Sequence, residues 1–159
     1  MQRRPAGVAL MAVTVESSAP GQRAPLGAAR VEALVGLVLK AEGIADAMIS
    51  ITFLPSRAMA KMNREQLGHT GATDIITFEL TRPAADAPVT GDLYICPDVA
   101  RANARAWGVP LREELARLVI HGTLHTLGLE HPDGDSRVES PMWRAQEKYL
   151  RSAIRRGLV

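Results

Sequence analysis

Three of the four histidines in this chain fall in the segment His121-Gly122-Thr123-Leu124-His125-Thr126-Leu127-Gly128-Leu129-Glu130-His131. Their spacing constrains any fold that contains it. On an α-helix, residues four apart sit one turn apart on the same side, so His121 and His125 project together. Glycine adopts the left-handed backbone that ends a helix and reverses the chain, so Gly128 lets His131 swing back toward the pair. One helix face must therefore stay open beside a returning loop. Three neutral imidazoles with a fourth position left over suit tetrahedral Zn²⁺ in a catalytic rather than a closed structural site. Nickel and iron accept imidazole as well. A single histidine on an apolar helix is more often a packed residue, and it is the combination of three that points to metal.

The remaining chemistry of the chain narrows the possibilities. Cys96 is the only cysteine, which excludes an internal disulfide framework and a Cys-rich zinc site and fits a reducing compartment. Any metal must be held by histidine or carboxylate. With 159 residues, 47% of them hydrophobic, the chain has the size of one domain with a real core. A formal charge of +2 excludes a polycation that binds nucleic acid by bulk charge. Apolar runs such as Val8–Val15 and Val31–Leu39 are too short to cross a bilayer. Arg3 and Arg4 ahead of Gly7–Val15 share the layout of an export signal. The run is short, however, and closes in β-branched residues, which predicts a strand over Val8–Val15 instead.

Alternation and punctuation predict the other elements. A helix opened by Pro25 carries Leu26, Val31, Leu34, Leu37 and Val38 and stops at Gly43. A strand over Met48–Leu54 turns Ile49, Ile51 and Phe53 to one face and Met48, Ser50 and Thr52 to the other. Ser56 is read as the cap of a short helix to about Gln66, followed by a Gly-bearing loop. Strands are predicted over Asp74–Leu80 and Gly91–Cys96. Asp98 is read as the cap of a third helix, ending near Gly108. Pro110 opens a fourth that reaches Leu127, and Ser140-Pro141 opens a fifth that stops at Gly157. There is no internal repeat. The expected fold is one α+β domain over residues 1–159, a mixed sheet of about four strands packed with about five helices.

The histidine spacing also fits His-Glu-x-x-His-x-x-Gly-x-x-His, where the glutamate is the base of zinc peptidases, but here that position is Gly122. Peptide hydrolysis is thereby placed second. The segment resembles instead the signature of the YbeY family of bacterial endoribonucleases and rRNA maturation factors. Met62-Asn63 with Ala72-Thr73-Asp74-Ile75-Ile76-Thr77-Phe78, and Gly91-Asp92-Leu93-Tyr94-Ile95-Cys96, are similar to further stretches of that family in the same order.

The resemblance implies one zinc ion on His121, His125 and His131, metal-dependent cleavage of single-stranded RNA, processing of small-subunit rRNA, ribosome quality control and a cytoplasmic location. Four residues depart from the family pattern: Leu67 for arginine, Thr126 for leucine, Leu129 for tyrosine and Glu130 for aspartate. An arginine could grip a phosphate where leucine cannot, and Arg64, one turn earlier, is the nearest substitute. The loss of that arginine keeps a third reading open, a non-catalytic, zinc-containing ribosome-binding factor.

Glu130, Asp74 and Asp92 are candidate partners for imidazole N–H groups, each equally explained as a cap or turn residue. Arg144, Lys148, Arg151 and Arg155 form a basic stripe on the last helix, opposite Trp143, Leu150 and Ile154, which read as its buried side. His69 reads as an exposed loop residue, and Cys96 and Met142 as packing residues. With two Trp, two Tyr and two Phe, extensive base stacking is not expected, and RNA binding should lean on phosphate contacts and shape.

Overall fold

The computed structural model describes residues 12–159. Strands β1 (Val13–Ser18), β2 (Ala47–Phe53), β3 (Ile75–Leu80) and β4 (Val89–Ile95) and helices α1 (Ala28–Ala41), α2 (Ser56–Leu67), α3 (Pro97–Trp107), α4 (Leu111–Thr126) and α5 (Pro141–Arg155) follow in the order β1-α1-β2-α2-β3-β4-α3-α4-α5. The sheet order is β1-β2-β4-β3; β1, β2 and β4 run parallel, and β3 is antiparallel to β4 at the edge. This is the mixed α+β domain expected. The first strand lies somewhat later than predicted, and the part of the predicted run before residue 12 falls outside the described residues.

The period-2 pattern of β2 holds: Ala47, Ile49, Ile51 and Phe53 are buried, while Met48 is exposed. Together with Leu93 and Ile95 of β4 they meet α1, α4 and α5 in the main core. A smaller cluster of Leu54, Met59, Ile76 and Cys96 lies under α2 and the start of α3, with Phe78 and Tyr94 edge to face at 5.9 Å. Cys96 and Met142 are packing residues, as read from sequence.

Helix α4 organises the domain. It packs against β3, β4, α1, α3 and α5, and residues on most of its circumference are buried. Gly122 makes this possible. A Cβ there would stand 2.7 Å from Leu93 Cγ and 2.8 Å from Ile75 Cδ1, so the helix rests directly on the sheet.

Four local expectations need correction. Pro25 does not open α1, which starts at Ala28 after Gly27, so Leu26 joins the core from the preceding loop. Ser56 does not cap α2; Pro55 holds that place, and the Ser56 hydroxyl donates to Asp98 Oδ2 at 2.9 Å. Asp98 in turn is not the cap of α3, where Cys96 precedes Pro97; its carboxylate accepts instead from Ser56, including the backbone N–H at 3.4 Å. Asp98 thus serves the helix across from it, and these bonds hold its pKa below the usual value. Ile154 is 44% exposed; the buried face of α5 is Met142, Gln146, Leu150 and Ala153. Ser140 does cap α5, accepting from the Trp143 N–H at 3.2 Å.

Candidate metal centre

Helix α4 ends as its sequence dictates. Gly128 has φ of 87°, its N–H donates to the His125 carbonyl at 2.9 Å, and the Leu129 N–H donates to the Leu124 carbonyl at 3.3 Å. This paired closure reverses the chain and returns His131 to the open face. The ring centroids of His121 and His125 are 4.6 Å apart, and each lies 5.1 Å from that of His131. One nitrogen from each ring lies within 4.8 Å of the others, so the group could hold a metal ion.

Hydrogen bonds decide which nitrogens are available. Gln146 Nε2 donates to Glu147 Oε1 at 3.0 Å, which leaves Gln146 Oε1 to accept from His121 Nδ1 at 2.7 Å. His131 Nδ1 faces the Pro132 carbonyl at 3.0 Å, and a carbonyl can only accept. In both rings the proton therefore sits on Nδ1 and the lone pair on Nε2, as a ligand requires.

Burial supplies the charge state. It pushes the His121 pKa down to about 4, against the bond to Gln146, with the charges of His125, His131 and Arg137 lowering it further. Burial also lowers His125, and His131 adds to the effect. Neutral imidazoles are what the donor set of a divalent metal needs. One consequence follows for the metal-free protein. The unfolded chain protonates His121 near pH 6.5 whereas the fold does not until about 4, so this stability is intact above pH 6.5 and is lost as pH falls toward 4. Denaturation midpoints at neutral and acid pH, compared with those of His121→Asn, check it; equal slopes in the two proteins would contradict it.

The structure redistributes the supporting roles. Asp74 Oδ1 accepts from the Ile75 N–H at 2.8 Å and Oδ2 from Asn103 at 3.2 Å, while Asp92 accepts from Ser50 Oγ at 2.5 Å; these recorded partners do not include a histidine. Glu130 is exposed and acts on His125 only through its charge, as does Glu79. The partner of His121 is Gln146, which the sequence reading missed. A signal existed: Met142, Gln146 and Leu150 recur four apart, and a lone amide on an apolar stripe needs a reason. Arg137, in the short 3-10 helix Asp135–Glu139, is the arginine whose charge reaches His121. Leu67 is 46% exposed at the end of α2, and Arg64 and His69 are exposed and outside the histidine group. The stripe Arg144, Lys148, Arg151 and Arg155 faces solvent.

Behind Gln146 stands a charged cluster. Arg117, one turn before His121, donates to Glu113 at 3.1 Å, Glu114 at 2.8 Å and Glu147 at 2.9 Å. Glu114 is buried, and desolvation raises its pKa even against Arg117. Glu147 thus joins Arg117 to Gln146, and Gln146 to His121. Replacing Gln146 by Ala is expected to weaken metal binding about 10- to 100-fold while His121 remains. Competition against a chromogenic chelator measures this, and unchanged affinity would remove Gln146 from the centre.

Fold and centre together define a class: an α+β domain whose three histidines converge at the glycine-closed end of a buried helix. A family model described as Endoribonuclease YbeY matches residues 23–153. The chain is 35% identical over 150 residues to an endoribonuclease YbeY of Anaeromyxobacter sp. (strain Fw109-5), covering 91% of this chain and 78% of the relative. It is 37% identical over 108 residues to that of Paraburkholderia phymatum, covering 68% and 70%. A Thermotoga maritima protein solved in solution matches with a TM-score of 0.58 and 25% identity over 87% of both chains. This chain belongs to the YbeY endoribonuclease family.

Proposed function

We propose that this chain is a zinc-dependent endoribonuclease that cuts single-stranded RNA, processing small-subunit rRNA and serving ribosome quality control in the cytoplasm. On this reading residues 1–159 form one hydrolase domain, and His121, His125 and His131 hold a single zinc ion through ring nitrogens. The observation that carries it is the convergence of three histidines with no carboxylate beside the first of them. A peptidase of the matching spacing needs a base at residue 122, and there Gly122 faces Leu93 and Ile75 in the core. Family membership supplies the RNA substrate.

Zinc, when bound, supplies Lewis acidity that polarises a phosphoryl oxygen and makes water more acidic near neutral pH. The chain's own residues prepare for that. Gln146 and the Pro132 carbonyl hold the protons of His121 and His131 on Nδ1 and aim the rings. Arg137 places a fixed positive charge near His121, where a phosphate arriving at the centre gains from it, and it is a candidate for the role Leu67 cannot play.

The test is cleavage of a single-stranded rRNA fragment by purified protein, with chelator and with zinc restored. Cleavage that chelation stops and zinc recovers is expected, with the circular dichroism spectrum unchanged. The core of β2, β4, α1 and α4 does not depend on the histidines. RNA bound but never cut, with unfolding on chelation, would favour the non-catalytic ribosome-binding role instead.

A further inference from the structure

Beside the histidine centre runs a cleft of about 440 Å³, within the ~300–1,000 Å³ typical of small-ligand sites. His121 and Gln146 belong to its wall, so it is continuous with the candidate metal centre. Both tryptophans of the chain border it. Trp107, at the end of α3, is 72% exposed, a large apolar ring left in solvent. Trp143 is half-buried and carries the Arg137 guanidinium over its ring at 5.5 Å from the centroid.

Arg137 is the cation through which this cleft would meet a phosphate beside His121; the rest of its lining offers an anion little. Arg117 lines it but is already committed to Glu113, Glu114 and Glu147. Asp74 and Glu114 add negative charge, and Arg137 is the other cation of the lining. Away from Arg137, a neutral, flat group suits this lining better than an anion. Asp74 and Asn103, hydrogen-bonded to each other at 3.2 Å, form part of its lining, and the exposed indole of Trp107 borders it.

We propose that this cleft is a nucleobase subsite, in which Trp107 stacks on one base of a single-stranded RNA whose neighbouring phosphate lies at the histidines. The proposal rests on RNA being the substrate. The scarcity of aromatic residues argues against an extended stacking platform, but one base needs one ring. Stacking serves every base, so Trp107 contributes affinity and register rather than sequence preference.

The experiment is equilibrium binding of short, labelled single-stranded RNA to the zinc-loaded protein, comparing wild type, Trp107→Ala and Trp107→Phe. A parallel set of oligonucleotides carries one abasic nucleotide at successive positions. Trp107→Ala is expected to weaken binding about tenfold, with Phe recovering most of the loss. In the wild type, removing the base at one position should weaken binding to a similar degree, and in Trp107→Ala the same removal should cost nothing further. The ratio should persist at high salt, because stacking is not ionic.

Equal binding by wild type and Trp107→Ala, sensitivity to no single position, or no RNA binding at all overturns the subsite. Its fate is separable from that of the nuclease reading. Metal-dependent cleavage with an indifferent Trp107 refutes only the subsite, whereas Trp107-dependent binding without cleavage refutes only the nuclease.

Discussion

His125→Ala is expected to lose zinc and, with it, RNA cleavage, while remaining folded. The three ring nitrogens lie within 4.8 Å of one another, and no acidic side chain joins them in the group that could hold a metal among the described residues. Removing one imidazole therefore leaves two ligands and no substitute. Loss of a hydrogen-bond partner behind a ligand already costs about 10- to 100-fold in affinity, and loss of the ligand itself should exceed that. His125 lies on the open side of α4, whereas Leu124 and Thr126 beside it are buried, so truncation should cost the metal-free fold no more than about 1 kcal/mol. Metal content after dialysis and cleavage of single-stranded RNA, measured on protein prepared in parallel with wild type, check both halves. Residual cleavage equal in the two proteins would show that the activity belongs to something other than this centre.

Gly122→Glu restores, on paper, the complete His-Glu-x-x-His-x-x-Gly-x-x-His string of zinc peptidases. The expected result is an unfolded or severely destabilised chain with no peptidase activity. At an ordinary helix position, replacing glycine by alanine gains about 1 kcal/mol. Here even a Cβ meets Leu93 Cγ at 2.7 Å and Ile75 Cδ1 at 2.8 Å, and Leu93 is fully buried between sheet and helix, so it has nowhere to retreat. Overpacking alone costs about 1–3 kcal/mol, and a carboxylate forced into that space without a partner adds several more. Against a typical domain stability of about 5–15 kcal/mol the sum is ruinous. Urea denaturation of Gly122→Ala and Gly122→Glu checks the order: Ala destabilised modestly, Glu most. A stable Gly122→Glu protein that digests casein would show that residue 122 faces the centre after all.

The residues that were legible in advance share a property: their effect is local. The pattern of β2, the glycine stops at Gly43, Gly108 and Gly128, and the cap at Ser140 each depend on neighbours within a turn or two, and each stands where it was read. The misreadings share the opposite property. Ser56 and Asp98 each carry the chemistry of a cap, and each uses it across the fold on the other, forty-two residues away. Ile154 stands four residues from Leu150, yet the buried stripe of α5 passes through Ala153 instead and leaves Ile154 at its margin.

Sequence by itself determined that three histidines able to hold a metal could meet, because a helix period and a glycine reversal are properties of a short segment. It also determined that this centre lacks a peptidase base, since Gly122 is written in the chain. Only the tertiary structure decided what surrounds the histidines. Gln146 reaches His121 from twenty-five residues away on another helix, and Arg137 rather than Arg64 is the arginine whose charge reaches His121. Trp107 and Trp143, far apart in sequence, share one cleft because α3 and α5 both pack against α4. Spacing along a chain fixes angles around one helix axis, but contacts between elements are fixed by how the elements pack, and here a glycine with no side chain sets how closely α4 approaches the sheet.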